Sequence, residues 1–490
     1  MRLWQKLTSD DVNVVAEGLD KYLKSQENAS HKQFAKVAEN YYKGQHDIRH
    51  SRIFFVDEHQ NVVEDALSAN IKIPHQFFTE LVDQKVQHLL SEAIEFKTEI
   101  EPLEKRLEEY IDEDFNLFLD EIVEGASVKG IEFGYARTTA RDTLKFETSD
   151  YLQTDTITDD LNDEVAVVRT YTQVVDNDGQ DIEVMYGEVH RENDVVYCVK
   201  LPRKKFEPDA TRTLNPQPHV VARDLDDDEK IYQRSYGRIP FYRLSNNRNE
   251  SSDLIPVKAL IDDYDMMASF LSNDLQDFGR PIYVVKGYQG SDRNEIKQRI
   301  QSGVVFAGAP NTPGELEVRS FNVPYEARRA KLDIDREAIY KFGMGFDSSK
   351  NDGSNITNVV IQSRYSLLNM KCNKMEPRLR GLVRWCLELI LEDIQTKYGE
   401  TYNVNDIDVH IKRTTLTNEN DEAQRLLTEA QTKMTLVQAL ATSAPYLDDE
   451  TVIKQMCEIY EIDYEEVIAV MEAEDIGTLV GENDDEPMAT

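Results

Sequence analysis

The chain has 490 residues, which is too long for one ordinary hydrophobic core and predicts two or more folding units. It carries 56 basic and 92 acidic residues, and the net charge of −36 opposes nonspecific binding to nucleic acids and to anionic membranes. Any contact with DNA is therefore expected to be local or weakly adhesive.

The cysteines and the hydropathy pattern predict a compartment for the protein. The four cysteines form no Cys-x-x-Cys pair, so neither a zinc site nor a disulfide framework is predicted. They are Cys198, Cys372, Cys386 and Cys457. The first 20 residues lack the apolar stretch of a signal peptide, and no run of about 18 apolar residues could span a membrane. We expect buried thiols in a reducing compartment and no membrane association.

The first part of the chain, to about residue 125, is predicted to be helical. Apolar residues recur every three or four positions in residues 10–26, 74–96 and 103–126, behind polar or proline starts. Residues 130–245 instead alternate β-branched and aromatic residues with polar ones, and turn sequences separate the runs. This second part predicts a β-meander of several strands.

The turn sequence DNDGQD in the meander also has some features of a calcium-binding loop. With Gly179 at loop position 6, Val174 would occupy position 1 and Met185 position 12. A first ligand and the bidentate glutamate of such a loop are then both missing. The sequence therefore favours a hairpin turn.

Residues 254–278 have the most regular helical pattern in the chain. Their apolar residues are separated alternately by three and four positions, which is typical of a helix that packs along one seam. The seam consists of Leu254, Val257, Ile261, Tyr264, Ala268, Leu271, Leu275 and Phe278. Because a long apolar seam flanked by charge requires neighbours, we expect it to pack against other subunits. Aspartates lie off this seam at positions 262, 263, 265, 274 and 277.

These aspartates leave a second interpretation open, namely a carboxylate metalloenzyme that uses Asp262, Asp263 and Asp265. Asp262 and Asp265 can share a helix face, as a metal-dependent phosphoryl-transfer site requires, but no accompanying His or Lys motif is present. The phosphate-loop motif G-x-x-x-x-G-K-[ST] and the nucleophile motif G-x-S-x-G are also missing. The favoured interpretation is a solvated acidic face on a structural helix, without a catalytic residue, metal or cofactor.

The rest of the chain alternates short and long elements. Residues 279–323 predict a small α/β insert, and 324–342 predict a helix that stops at a Gly- and Ser-rich segment, 343–354. A long helical run follows to about residue 397, interrupted only by Pro377. A short strand and acidic helices complete the chain.

Three segments carry a resemblance to a known family. They are YYKGQHDI (Tyr41–Ile48), NIKIPHQFFTELVDQKVQHLL (Asn70–Leu90) and LIDDYDMMASFLSNDLQDFGRPIYVVKG (Leu260–Gly287). Together with the order of helix, insert, helix, loop and long helix, they resemble the portal proteins of long-tailed, siphovirus-type double-stranded DNA bacteriophages. The similarity extends over roughly residues 35–400. The shared order of the three segments along the chain carries the resemblance.

The resemblance implies an α+β portal fold in a ring-shaped homo-oligomer of about twelve subunits. The implied parts are a wing (1–252), a first stem helix (253–278), a clip (279–323), a second stem helix (324–342), a tunnel loop (343–354), a long kinked helix with a wing return strand (355–418), a crown (419–478) and an acidic flexible tail (479–490).

The resemblance also implies functional surfaces. The tunnel loop would line the DNA channel with Gly343, Met344, Gly345, Phe346, Asp347, Ser348, Ser349, Lys350, Asn351, Asp352, Gly353 and Ser354. The clip would bind partner proteins through Arg280, Lys286, Arg293, Lys297 and Arg299. The family's partners are double-stranded DNA, terminase, head-completion or adaptor proteins, and major capsid and scaffolding proteins. The implied location is the capsid vertex of the virion, after assembly in the bacterial host cytoplasm.

Three hypotheses follow from the sequence. The first is a non-enzymatic portal ring that admits, retains and releases DNA. The second is a structural or scaffolding oligomer that never contacts DNA, and the third is the carboxylate metalloenzyme. The mass of the oligomer separates the first from the third, and a channel wide enough for duplex DNA separates the first from the second.

Overall fold

The computed structural model describes residues 1–26, 29–56, 60–64, 69–177, 180–223, 231–278, 282–286, 315–319, 325–347, 358–413, 419–443, 449–460 and 464. The chain divides into two compact units. The first comprises Met1–Lys350 and Tyr365–Thr414, and the second comprises Asn351–Arg364 and Thr415–Thr490.

The helices of the first unit mostly precede and follow its strands. They are α1 (Leu3–Leu7), α2 (Val12–Gln26), α3 (Ser30–Tyr42), α4 (Phe77–Leu89), α5 (Glu101–Leu107), α6 (Glu113–Lys129), α7 (Lys258–Phe278) and α8 (Tyr325–Gly343). Helix α9 (Asn358–Tyr398) has its first residues in the second unit and the remainder in the first. The second unit also contains α10 (Glu419–Ser443) and α11 (Asp449–Tyr460).

The strands of the first unit form several antiparallel sheets. They are β1 (Phe54–Val56), β2 (Val62–Glu64), β3 (Glu95–Lys97), β4 (Ile131–Thr138), β5 (Leu144–Ser149), β6 (Thr154–Thr158), β7 (Glu164–Asn177), β8 (Gln180–His190), β9 (Asp194–Lys200), β10 (Glu207–Pro208), β11 (Gln217–Pro218), β12 (Val220–Arg223), β13 (Ile231–Arg234), β14 (Phe241–Ser245), β15 (Ile282–Lys286), β16 (Glu315–Arg319) and β17 (Asp408–His410).

The largest sheet is the predicted meander. Its strand order is β10-β9-β8-β7-β6, with β11 paired to β9, and a smaller sheet has the order β14-β4-β5. In the β7–β8 hairpin, Asn177 pairs with Gln180, as the hairpin prediction requires, and the two residues between them lie outside the described part. Antiparallel sheets that are largely separate in sequence from the helices confirm the α+β class.

The main hydrophobic core joins the helices to the small sheet. It contains buried residues from α3, α4, α6, α7, α8 and α9, together with Ala136 of β4 and Phe146 of β5. A second core packs α1 and α2 on the large sheet, for example Leu19 on Val189 and Val196. All four cysteines are buried and free, as predicted. Among the described helices, none has both the length and the apolarity of a membrane span.

The structure corrects two predicted helices and one predicted break. The pattern at 103–126 is divided, because the Asp112 carboxylate accepts a 2.9 Å hydrogen bond from the Phe115 backbone N–H and begins a new helix, α6. The pattern at 74–96 gives a helix only over α4, and residues 95–97 form β3 with β17. Helix α9 continues through Pro377 without interruption.

Candidate functional site

Three segments that are distant in sequence meet at one buried carboxylate. Asp265, on α7, accepts a 2.6 Å hydrogen bond at Oδ2 from His46 Nδ1. Its Oδ1 accepts two 2.9 Å hydrogen bonds from His75, one from the ring Nδ1 and one from the backbone N–H. Asp265 and His46 are both fully buried. We call these three residues the Asp265 junction, and each comes from a different one of the three segments that resemble portal proteins.

The hydrogen bonds at the junction favour the charged form of Asp265. Burial alone would raise the pKa of Asp265, but the hydrogen bonds from His46 and His75 outweigh burial and hold that pKa below its ordinary value. The other ring nitrogen of His46, Nε2, lies 3.2 Å from the Tyr41 carbonyl oxygen. Both ring nitrogens of His46 therefore face acceptor oxygens, and the ring is held between Asp265 and the Tyr41 backbone.

The same face of α7 holds an extended segment through side-chain oxygens. Three side chains spaced four residues apart on the helix accept hydrogen bonds from three backbone N–H groups spaced two residues apart on the segment. The three distances are 2.9, 3.1 and 2.7 Å. The pairs are Asp265 with His75, Ser269 with Ile73, and Asn273 with Ile71. Four helical residues rise about 6 Å and two extended residues about 6.6 Å, so the two spacings match. We call this arrangement the polar ladder.

A second polar cluster surrounds the first turns of α7. The Tyr41 ring stacks on His46 with 4.5 Å between the ring centres, and its hydroxyl donates to Asp262. Lys258 Nζ donates to Asp47 at 2.7 Å, to Asp262 at 2.8 Å and to the Tyr41 hydroxyl at 3.1 Å. The segment Tyr41–Ile48 is therefore connected to α7 through both clusters.

The remaining described aspartates of α7 pair with α8. Asp274 lies 2.5 Å from Arg328, and Asp263 lies 2.5 Å from Lys331, which also pairs with Asp335. Asp274 follows Asp263 on α7, but its partner Arg328 precedes Lys331 on α8, so the two helices run antiparallel. The aspartates were predicted to form a solvated acidic face; instead, Asp263 and Asp274 belong to a helix–helix contact. The Asp277 side chain lies outside the described part.

The structure also bears on the metalloenzyme alternative. Asp262, Asp263 and Asp265 contact three different sets of partners and do not converge on one point. Within the described residues, no group of three or more His, Cys, Asp or Glu side chains could hold a metal ion. The geometry therefore gives that alternative no support.

The predicted seam is divided between two environments. Leu254, Val257 and Ile261 are fully buried in the core of the chain itself, so they cannot form a contact with another subunit. Only the later seam residues can, which corrects the prediction of one continuous intersubunit seam. The reason is that Leu254, Val257 and Ile261 belong to the same hydrophobic core as buried apolar residues of α4 and α9.

The later part of α7 is less covered. Tyr264 packs on Phe77, with 4.8 Å between ring centres, and Ala268 and Leu271 are half-buried. Leu275 is 55% exposed, and the Phe278 side chain lies outside the described part. Met266 and Phe270, which the seam did not include, are 43% and 41% exposed. Among the described residues, these side chains form an exposed apolar surface.

The described part of the predicted tunnel loop, residues 343–347, is held against α4. Gln84 Oε1 accepts from the Phe346 backbone N–H at 3.1 Å, and Gln84 Nε2 donates to the Phe346 carbonyl at 2.9 Å. The Phe346 ring contacts the Tyr365 ring with 4.8 Å between centres. Asp347 pairs with Arg336 at 2.8 Å. Residues 348–354 of the predicted loop lie outside the described part.

The glycines of this segment are required by close packing. A Cβ at Gly343 would lie 2.5 Å from a Leu81 methyl group, and one at Gly345 would overlap Leu81 as well. Met344, between them, has φ of +58°, a left-handed conformation that costs a non-glycine residue free energy. The Gly345 N–H donates to the Tyr340 carbonyl at 3.0 Å, so the strained turn ends α8.

Little of the predicted clip is described. Strands β15 and β16 pair antiparallel, with Ile282 opposite Arg319 and Lys286 opposite Glu315. Lys286 is the only predicted partner-binding residue whose backbone is described. Arg280, Arg293, Lys297 and Arg299 lie outside the described part.

Sequence patterns alone did not identify the junction or the ladder. His46 and His75 lie inside segments that resemble portal proteins, but nine histidines scattered along the chain gave no spacing to connect them. The sequence feature that could have indicated the polar ladder is the spacing of Asp265, Ser269 and Asn273 at intervals of four residues. These short polar residues continue the same helical face as the buried Ile261, where apolar residues would otherwise be expected.

Comparisons with known proteins agree with the resemblance to portal proteins that the three segments carry. The family model for "Phage portal protein, SPP1 Gp6-like" matches residues 20–466. The portal protein of Bacillus phage SPP1 is 24% identical over 392 residues, covering 79% of this chain and 75% of the relative. The portal protein of Clostridium phage phiCD119 is 22% identical over 412 residues, covering 78% of this chain and 85% of the relative.

One solved structure is also similar. A chain from the virion of a native gene transfer agent particle aligns with 80% of this chain and 91% of its own length, at a TM-score of 0.40 and 10% identity. The family model extends over most of the sequence, so the chain belongs to the SPP1 Gp6-like family of phage portal proteins. It is a virion component, the portal at the capsid vertex through which DNA is packaged.

Proposed function

We propose that this portal protein forms a closed ring of about twelve subunits whose central channel conducts double-stranded DNA during packaging and ejection. The observation that carries the ring is the apolar surface of α7, since Met266, Phe270 and Leu275 are 43%, 41% and 55% exposed. Helix α8 adds Ile334 and Phe342, which are 62% and 56% exposed. Such large exposed side chains on paired helices are typical of protein interfaces.

The parts of the ring follow the order of elements. In this proposal residues 1–252 form the wing, α7 and α8 the stem, 279–323 the clip, 355–418 the long helix with its return strand β17, 419–478 the crown and 479–490 an acidic tail. The separate compact unit that contains Thr415–Thr490 supports a distinct crown. The antiparallel pairing of α7 with α8 supports a two-helix stem.

The charge of the ring suits a conduit that does not grip its cargo. Each copy contributes a net charge of −36, so most of the protein surface repels the phosphate backbone. Each Lys or Arg contact to a phosphate would instead add salt-dependent adhesion. Because screening acts over about 8 Å at physiological salt, the repulsion centres DNA without opposing its passage at long range.

The tunnel loop is proposed to line the channel with residues 343–354. Its first five residues are held against α4, which supports a loop with a fixed base from which the remaining residues extend. Lys350 is the one base of the loop able to contact phosphate. A Lys350→Ala variant should assemble normally and yet change the salt dependence of DNA retention, measured as nuclease-protected genome per particle.

The clip is proposed to bind terminase and then the head-completion proteins. Residues 279–323 carry six basic and four acidic residues, a balance opposite to that of the whole chain. Reversing the charges of Lys297 and Arg299 should abolish terminase binding and leave ring assembly intact. Retained binding would place the interface elsewhere. We further propose that the packaging ATPase is a separate protein and that capsid and scaffolding proteins contact the wing.

One experiment tests the ring directly. Native mass measurement of the purified protein at micromolar concentration should give a closed oligomer, and a particle image along the symmetry axis should show a channel wide enough for duplex DNA. A monodisperse monomer would contradict the proposal. A closed ring without a channel would instead indicate the scaffolding oligomer.

A further inference from the structure

The geometry points to a phosphate-binding cleft between the C-terminal end of α8, the loop 246–253 and α9. The cleft has a volume of about 440 Å³. Lys85, Arg248, Lys371 and Lys374 line it, and Asp253 is the only acidic residue in the lining. Four basic residues against one acidic residue form a strongly cationic site in a chain whose net charge is −36.

Two of the four bases are buried, which distinguishes the cleft from a patch of surface lysines. Lys85 is 1% exposed and Lys371 is 9% exposed. Both ammonium groups lie 3.1 Å from the same oxygen, Asp253 Oδ2, so one carboxylate compensates two buried positive charges. A buried charge without compensation is costly, and an anion in the cleft would remove that cost.

Each buried ammonium group also has a donor to spare. Lys85 Nζ donates to Asn246 Oδ1 at 2.5 Å and to Asp253 Oδ2 at 3.1 Å. Lys371 Nζ donates to the Gly343 carbonyl at 3.0 Å and forms an ion pair with Asp253 at 3.1 Å. An ammonium group has three N–H donors, so within the described residues each has one left over. The two remaining donors belong to side chains that line the same cleft.

The mouth of the cleft adds two more cations. Arg248 and Lys374 are exposed, and neither has an ion pair with another described residue. Together the four side chains can offer donors to several oxygens of one ligand. A phosphate group, with its tetrahedral oxygens and up to two charges, matches this arrangement better than a carboxylate, which has only two oxygens in a plane.

The cleft is connected to the end of α8. Gly343 and Met344 line it, and Lys371 contacts both Asp253 and the Gly343 carbonyl. A phosphate bound at Lys371 would therefore stabilise the strained turn at Met344, which precedes residues 345–347. The ligand class is phosphate, either as the free ion or as a phosphodiester of DNA.

The test uses the full chain with inorganic phosphate as the probe. Phosphate should raise the urea midpoint of the first unit above its value in chloride at equal ionic strength, because a ligand that binds only the folded state stabilises it. The rise should saturate with phosphate concentration. The variant with Arg248→Ala and Lys374→Ala should bind phosphate about tenfold more weakly or worse, since each lost contact is charge-assisted.

The matched control is the variant with Lys24→Ala and Arg141→Ala, which loses the same charge outside the cleft lining. It should retain the saturable rise in the urea midpoint.

A short DNA duplex identifies the source of the phosphate. Competition of the duplex with phosphate would assign the cleft to the DNA backbone, and lack of competition would assign it to the free ion. No saturable rise in the wild type, or an equal rise in both variants, would overturn the proposal.

Discussion

His46 Nδ1 lies 2.6 Å from Asp265 Oδ2, and both side chains are fully buried although 219 positions separate them in the sequence. The second ring nitrogen of His46 lies 3.2 Å from the Tyr41 carbonyl oxygen, so the imidazole ring is held on both sides. Asp265 in turn holds His75. This one carboxylate therefore connects the segments around His46 and His75 to α7.

Replacing Asp265 with Asn should be strongly destabilising. The carboxylate accepts three hydrogen bonds through its two oxygens, whereas the amide has one acceptor oxygen, so at least one buried donor loses its partner, which should cost about 1–3 kcal/mol. Urea unfolding measures the loss. The matched control is Asp263→Asn, which removes a half-exposed partner of Lys331 and should cost less than about 1 kcal/mol. Equal losses in the two variants would show that the buried pair has no special role.

The junction also predicts how stability changes in acid. The pKa of Asp265 is lower in the folded protein than the ordinary value of about 3.9, so its stabilisation is fully present above that value. It is lost as the pH falls through the folded pKa. The urea midpoint of the wild type should therefore fall more steeply below about pH 4 than that of Asp265→Asn. If the urea midpoints of the wild type and of Asp265→Asn fall equally with pH, Asp265 does not contribute this acid sensitivity.

The close packing of Gly345 against Leu81 predicts that a side chain at position 345 destabilises the protein. A smaller residue at position 81 should reduce that loss of stability. A Cβ at this position would overlap Leu81 and lie 2.7 Å from Gln84 Oε1, so Gly345→Ala should cost about 1–3 kcal/mol. In the Leu81→Ala background, which opens space, the same substitution should cost less. A double-mutant cycle by urea unfolding measures the coupling. Additive losses would argue against the close contact.

The strained turn at the end of α8 predicts a stabilising substitution. Met344 has φ of +58°, a conformation that glycine adopts without penalty, so Met344→Gly should stabilise the first unit by up to about 1 kcal/mol. The control is Lys341→Gly, in the last turn of α8, which should destabilise by about 1 kcal/mol. If both substitutions destabilise equally in thermal or urea unfolding, the left-handed conformation carries no strain.

The apolar surface of α7 predicts which substitutions block assembly. A charge at Phe270 or Leu275 should leave the fold of the chain nearly unchanged, because these side chains are 41% and 55% exposed. It should disrupt the proposed ring, at a cost of a few kcal/mol per buried site. Native mass measurement should show smaller species. Leu161→Asp, at a side chain that is 79% exposed in the turn between β6 and β7, should still assemble.

Local patterns predicted the elements of this protein better than their contacts. The helical spacing of α7 and the alternation of the meander depend on neighbouring residues, and both agree with the structure. The junction depends on residues from three segments, and no local pattern encodes which histidine meets which aspartate. The seam was misassigned for a related reason, since an apolar residue such as Ile261 looks the same whether it is covered by its own chain or by another subunit.

The polar ladder also affects how the segment Ile71–His75 behaves toward other chains. An extended segment with unsatisfied N–H groups is a template for strand addition and aggregation. Here the donors of Ile71, Ile73 and His75 are already satisfied by α7. Of the two alternate residues, Pro74 has no N–H and Lys72 carries a charge, both of which discourage strand pairing. This segment is thereby protected from unintended β-pairing with other copies of the chain, as the proposed ring would require.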